Sequence, residues 1–519
     1  MESSKKLSKL RLASRQSDLA RLQTETVAKA IKEKFPDIEI EFHFRASLGD
    51  QNQNDPLWKM PEKGVFTEDF YQDLVSEKVD LVVHSWKDLP IEKKADTEIV
   101  ASLGRSDQRD LFLFKSEKMQ SVRASKILKI LTSSPRRAYN LESFFKGHFP
   151  CELDETQFLN VRGNILTRLK KLISEDADAL IVAKAALDRL LKTTDAQYLP
   201  GQLEICEILK KCQWMCLPLT HNPSAAAQGA LAIEAKKNSP WIQFLEKIQD
   251  SECFRNVEKE REVLAQYGGG CHQKIGVSVL SRKFGEVQFL RGLTDRGEIL
   301  DSVALKTNRS FVKAKSLKNI FPASSNSFKF FEREKLSNSD IDLSLKDPLI
   351  WVTREEALPQ NFKTGGNQII WTSGLKTWSK LARRGVWVNG SAESLGEDEN
   401  PQIQVLTKIF QGRSESQVKW TKLTHKEGFQ NPEMKVVYTY QLVPVAPKPD
   451  LKLDLKGITH FFWSSGSGFD YLVAFFPEIK KAWHFCGPGH SYEHIKKCLG
   501  SDEQLRICLS YEDWLKQVV

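Results

Sequence analysis

The sequence predicts an α/β protein of several domains. Its 519 residues leave room for three or four of them, each with its own core. Short apolar runs that read as buried strands alternate with stretches of helical periodicity, the pattern of strand–helix units. A composition that is 40% hydrophobic and 28% charged is ordinary for a globular chain.

The formal net charge is +9, which invites an anionic partner. The basic residues are spread along the chain rather than gathered in a tail or stripe. A small acidic substrate therefore fits at least as well as nucleic acid, which is not expected as a partner. The opening MESSKKLSKL has charge but no apolar core, and no run reaches the length of a membrane span. Nine cysteines without a framework read as reduced thiols, so the expectation is a cytoplasmic protein with no membrane partner, and a monomer.

Taken in order, Leu10 to Ala13 make a short strand, Ser14 to Ser17 a polar turn, and Asp18 to Phe35 a helix closed by Pro36. Ile38 to Ala46 alternate as a second strand. Residues 49 to 61 form a polar loop too long for a simple connection, a candidate lid, and Thr67 is a possible cap for the helix after it. The run VDLVVHSWKDLP, Val79 to Pro90, reads as a strand buried on both faces that Pro90 stops. Lys87 and Asp88 should then stand just past its carboxyl end, the edge at which open α/β sheets bind ligands.

Arg105 to Asp110 is a charged junction, after which the alternation resumes. Strands are expected at Leu111 to Phe114, Ile127 to Thr132, Leu159 to Val161 and Ala179 to Ala183. Ser133-Ser134-Pro135-Arg136-Arg137, Arg162-Gly163-Asn164, Arg168 and Arg189 follow these strands or lie in the next helices. With Arg15 they would converge on one crevice. Arginine forks hold planar carboxylates by paired hydrogen bonds, so the substrate should carry several of them. Gly268-Gly269-Gly270-Cys271 offers a thiol on a pliant loop able to approach another domain. Cys206, Cys212 and Cys216 match no zinc spacing and read as structural, and no metal is expected.

The motifs LRLASRQSDLA, EKGVFTEDF, VDLVVHSWKDLP, SSPRR, VRGNILTRLKKL, AAAQGALAIE and GGGC, in this order, resemble hydroxymethylbilane synthase, also called porphobilinogen deaminase, over about residues 9 to 310. The resemblance implies an enzyme that joins four porphobilinogen molecules into a linear tetrapyrrole with loss of ammonia. It also implies two periplasmic-binding-protein-like α/β domains (1–104 with 225–245, and 105–224) and a small α+β cofactor domain (246–315). A dipyrromethane cofactor would be held by a thioether to Cys271. By the same resemblance Asp88 is the catalytic carboxylate, with Lys87 beside it. Arg15, Ser17, Ser133, Ser134, Arg136, Arg137, Arg162, Arg168, Arg189 and Gln228 fall on positions that hold cofactor and substrate. Pro135, Ala186, Met60-Pro61-Glu62 and His272-Gln273-Lys274 depart from the family's usual residues without removing a charged or nucleophilic group. The stretch Leu191 to Asn222 is longer than usual.

Ser316 to Lys346, rich in Ser, Asn and Lys, reads as a linker. Beyond it, 348–519 contain an imperfect repeat, Ile369 to Gly374 and Phe461 to Gly466, each a buried strand ending in a hydroxyl-bearing turn before a helix. Gly385 to Gly390 and Phe485 to His490 are further strand-end turns. This part resembles uroporphyrinogen-III synthase, which implies a two-lobed α/β domain and a bifunctional protein. The alternative is an appendage without catalysis.

Overall fold

The computed structural model describes residues 8–46, 68–269, 273–325, 329–336, 341, 346–362, 368–397, 399, 401–412, 419–426, 428, 431–445 and 455–519. Cys271, the candidate lid and Thr67 lie outside the described residues. The chain divides into two compact units. One takes in residues 1–302 apart from 146–152 and 282–288, and the other holds those two segments with 303–519.

In the first unit, one five-stranded sheet has the spatial order Glu39–Arg45, Lys9–Arg15, Leu81–Ser85, Leu231–Lys236, Thr97–Ala101. The first three strands run parallel, and the returning strand Leu231–Lys236 is antiparallel to both its neighbours. Parallel neighbours need a helical crossover, and Asp18–Lys34 supplies it. Its Val27, Ala28 and Ile31 pack on Leu10, Leu12, Leu81 and Val83 in one buried cluster. Residues 81 to 84 are buried throughout, as expected of a strand covered on both faces.

A second five-stranded sheet is built from Glu155–Leu159, Ile127–Leu131, Ala179–Ala183, Asp110–Lys115 and Cys212–Cys216, in that order. The strand expected at Leu159 to Val161 is shifted to Glu155–Leu159. It is an edge strand with no fully buried residue, so its polar Glu155, Thr156 and Gln157 hid it from an apolar pattern. The long stretch after Leu191 folds as a helix, Leu199–Leu209, and the edge strand Cys212–Cys216. Cys212 and Cys216 are buried free thiols, pushed up by that burial to about 12 and about 11. They behave as small core residues. A three-stranded sheet, Gly276–Arg282, Gly285–Leu293 and Ile299–Lys306, follows.

The second unit holds two more sheets. One has the order Phe331–Lys335, Lys435–Pro444, Thr421–His425, Leu349–Val352, Ile369–Thr372, Gly390–Ser391, and is parallel except for its first strand. The other is wholly parallel: Ile320–Phe321, His460–Trp463, Trp483–Cys486, Leu505–Ile507. The supposed linker is therefore a correction, because Ser316 to Lys346 supplies a strand to each sheet. Low apolar content misled there: Phe331–Lys335 is an exposed edge and Ile320–Phe321 is only two residues long. The repeat folds as expected. Ile369–Thr372 feeds the helix Leu375–Arg383, and His460–Trp463 feeds Gly466–Phe475, whose N-cap Ser465 accepts a hydrogen bond from the Gly468 amide. Gly390 has to be glycine, since a Cβ there would lie 2.2 Å from the Trp371 ring.

Candidate functional site

The strand Leu81–Ser85 ends in a single 3-10 turn, Trp86–Asp88. Trp86 is buried against Leu89, Ala227, Ala230, Cys253 and Val257, and its amide donates to the Ala230 carbonyl at 3.1 Å. Arg261 donates to the carbonyls of Leu89 and Pro90. The turn is thus pinned on both sides, and it presents Lys87 half-buried and Asp88 exposed.

Charges of the second sheet face this turn. The Lys87 ammonium is pushed below its ordinary range by burial, with Arg137 and Arg168 adding to the effect and Asp88 and Asp110 opposing it. Arg168 falls to about 10 through burial and the neighbouring cations Arg137 and Arg162, while Asp88 works the other way. Its Nε donates to the Gly163 carbonyl at 2.8 Å, which fixes the guanidinium at the start of the helix Ile165–Ser174. Lys87 and Arg168 are thus the cations coupled to the exposed Asp88; Arg162 acts on Arg168, and Arg137 acts on both while its own nitrogens bond to Asp110 and the Ile181 carbonyl. Arg15 ends the neighbouring parallel strand Lys9–Arg15, and Ser17 follows it at the same sheet edge. Ser17 stands at the N-cap of Asp18–Lys34 with no side-chain capping bond.

Not every expected residue lies in this group. Ser133 and Ser134 shape the turn: Ser133 Oγ exchanges hydrogen bonds with the backbone of Val161, and Ser134 Oγ accepts from the Arg137 amide at 3.4 Å. Arg136 is buried and donates to Asn222 Oδ1 (2.9 Å), the Pro223 carbonyl (2.6 Å) and Asp110 (2.9 Å). Gln228 donates to Asp110 Oδ1 at 2.8 Å and to the Gln108 carbonyl at 2.7 Å. Arg189, pushed to about 10 by burial, bridges Ser106 Oγ (3.1 Å) and the Gly229 carbonyl (2.7 Å). Those acceptors sit on the two segments that cross between the sheets. The hydrogen bonds of these three side chains thus go to protein acceptors at the crossover.

Sequence reasoning marked RSDQRD as a junction but missed its centre. Asp110 is fully buried and accepts from Arg136, Arg137, Asn222 and Gln228. Burial alone would raise its pKa, yet Arg137 and Arg136 hold it far below the usual carboxylate range. A second missed group is Glu260. Its carboxylate takes both Arg105 nitrogens (2.7 and 2.8 Å) and the amides of Ala227 and Val279. It ties the helix Ser251–Ala265 to the crossover and so steadies the base of the glycine loop that precedes Cys271. Gly268 and Gly269 both take positive φ, and a Cβ on Gly269 would lie 2.7 Å from Ile91 Cδ1. The glycines thus let this loop pack three residues beyond Asp88.

Fold and site together define an α/β protein whose crevice, lined by cations around one carboxylate, suits a polyanionic small molecule. The family model "porphobilinogen deaminase, dipyromethane cofactor binding domain" matches residues 10–243. The porphobilinogen deaminase of Caldicellulosiruptor saccharolyticus is 36% identical over 271 residues, 52% of this chain and 84% of that protein. That of Clostridium beijerinckii is 32% identical over 293 residues, 56% of this chain and 90% of that protein. Among solved structures, a periplasmic sulfonate-binding protein of Methylobacillus flagellatus covers 50% of this chain and 70% of its own at 13% identity, with a TM-score of 0.27. The chain belongs to the porphobilinogen deaminase family. It polymerises the small molecule porphobilinogen into hydroxymethylbilane, and its matched domain is the one that binds the dipyrromethane cofactor. Among the described residues no helix is long and apolar enough to cross a membrane.

Proposed function

We propose that Asp88 is the catalytic carboxylate of this polymerisation, that Cys271 anchors the cofactor through a thioether, and that the C-terminal sheets add a cyclase activity. The observation that carries the first part is the exposed Asp88 coupled to Lys87 and Arg168, with Arg162 acting on Arg168. This donor set fits dipyrromethane. Burial and neighbouring cations lower the proton affinities of Lys87 and Arg168, and the acetate and propionate groups of a pyrrole chain would relieve that repulsion. When bound, the cofactor supplies the pyrrole carbon to which substrate units are joined. Asp88 accepts hydrogen bonds from pyrrole N–H groups and stabilises the positive charge that develops as ammonia leaves the substrate. Lys87, Arg162, Arg168 and Arg15 orient carboxylates, with Ser17 as a further donor. Arg136, Arg189 and Gln228 hold the crossover and so the spacing of the two walls.

Purified protein from a host that makes porphobilinogen should exceed its sequence mass by two pyrrole units. Cys271→Ser should remove that excess, because a hydroxyl is a far weaker nucleophile than a thiol. A Cys271→Ser protein with the full extra mass would refute the anchor.

The cyclase reading rests on the two sheets of the second unit, one wholly parallel and one parallel but for its edge strand. Their strands end in Ser- and Gly-bearing turns at helix N-termini: Ser373-Gly374, Ser464-Ser465 and Gly487 to Gly489. Backbone amides at such ends bind carboxylates. Uroporphyrinogen-III synthase, which this region resembles in sequence, closes hydroxymethylbilane, and joining both activities in one chain raises the effective concentration of a product that cyclises by itself to the wrong isomer. Porphobilinogen supplied to the full chain should yield the type III uroporphyrinogen. Exclusive type I product would leave a deaminase with an appendage that has no catalytic role.

A further inference from the structure

We propose that Asp470, His494 and Cys498 form a binding site for a zinc-class divalent metal ion that clips together two helices of the C-terminal unit. His494 and Cys498 are four residues apart on the helix His490–Leu499, so their side chains share one face. Asp470 comes from the neighbouring helix Gly466–Phe475. His494 Nε2 lies 2.9 and 2.7 Å from the two Asp470 oxygens, Cys498 Sγ lies 3.7 Å from His494 Nε2, and Cys498 Sγ lies 3.9 Å from Asp470 Oδ1. Among the described residues this is the one group of three such side chains whose donor atoms converge.

The spacing suits a tetrahedral ion. Bonds of about 2.3 Å to sulfur and about 2.0–2.2 Å to nitrogen and oxygen place donor atoms roughly 3.3–3.7 Å apart. The two sulfur distances already lie close to that range. The His494–Asp470 pair has to open by about half an ångström to reach it. Both side chains are free to do so, at 44% and 49% exposure. The backbone is shaped for the ring as well: a Cβ on Gly466 would lie 2.8 Å from His494 Cδ2, so only glycine there lets the imidazole lie against the first turn of the other helix.

The donor chemistry selects the ion. A thiolate and an imidazole favour zinc-class metals over magnesium or calcium, which prefer all-oxygen shells. Thiolate and carboxylate together neutralise a divalent charge, and the exposed fourth position is left to water. The metal-bound form of a cysteine is the thiolate, so binding releases a proton and affinity rises with pH.

The test uses the full chain after chelator treatment, titrated with Co2+ as a spectroscopic probe. A near-ultraviolet thiolate-to-cobalt band should saturate at one equivalent and be displaced by Zn2+. Cys498→Ser should abolish the band, and Asp470→Asn and His494→Gln should each weaken Co2+ binding at least tenfold. Porphobilinogen consumption should stay at the parental rate in all three, since none belongs to the deaminase crevice, and circular dichroism checks the fold of each. No saturable band in the parent, or an undiminished band in folded Cys498→Ser, would overturn the site and leave His494 and Asp470 as a surface ion pair.

Discussion

The two units place turns at the carboxyl edges of α/β sheets in different ways. In the first, the edge carries acidic and basic side chains: Lys87 and Asp88 on one wall, Arg162 and Arg168 on the other. In the second, the corresponding turns carry Ser373, Gly374, Ser464, Ser465 and Gly489, and the weight of the fold rests on buried aromatics such as Trp351, Trp371 and Trp463. A sheet edge can thus offer either side-chain charge or backbone dipoles. Charge suits a reaction in which a cation develops, while backbone amides suit holding a product with many carboxylates.

Four substitutions press on that contrast. Arg136→Leu should have the largest effect, because it removes one of the two arginines that hold the buried Asp110 carboxylate and takes the same donor from Asn222 Oδ1 and the Pro223 carbonyl. The loss should be about 3–5 kcal/mol of stability, read as a lowered urea midpoint. A midpoint within error of the parent would mean that Asp110 is satisfied by Arg137, Asn222 and Gln228 alone. Asp88→Asn should leave the midpoint unchanged and lower kcat by about 10²–10³, or about 2.7–4 kcal/mol of transition-state stabilisation. Turnover within threefold of the parent would make Asp88 structural.

On the aromatic side, His484 is buried beside Phe461, Trp463 and Phe469, and its Nδ1 accepts from Trp463 Nε1 at 3.0 Å. Burial pushes it from 6.5 down to about 4. The unfolded chain therefore binds this proton more readily than the folded one. The stabilisation is complete above pH 6.5 and is lost as pH falls toward 4. The loss at the lower end should be about 3 kcal/mol. Tryptophan-fluorescence urea curves at pH 7 and pH 4 should show it in the parent and not in His484→Gln; equal acid sensitivity in both would assign it elsewhere. Ser465→Ala should have the smallest effect, about 1 kcal/mol from the lost cap on Gly466–Phe475.

Much of the first unit was legible because its strands are apolar on both faces and end in Pro, Gly or paired charges; Val79 to Pro90 is the clearest case. Lys87 and Asp88 could be placed by that edge alone. The roles of Asp110 and Glu260 could not, since no periodicity tells a buried, paired carboxylate from a solvated one, and their partners lie up to 155 residues away. Arg136, Arg189 and Gln228 were grouped with the carboxylate-holding residues for the same reason: sequence places a donor at a strand end without naming its acceptor. Asp470 with His494 and Cys498 stayed hidden because the contact depends on how two helices pack.

The strand Phe331–Lys335 pairs with Lys435–Pro444, and Ile320–Phe321 pairs with His460–Trp463, so in each case more than a hundred residues separate partners. At a translation rate of about 5–20 residues per second, the earlier strand emerges from the ribosome roughly 5–28 s before its mate exists. During that interval Phe331–Lys335 is an open edge on a nascent chain, and its run of Glu332, Arg333, Glu334 and Lys335 keeps it hydrated and unattractive to other strands. The same low apolar content that made this segment look like a tether lets it wait.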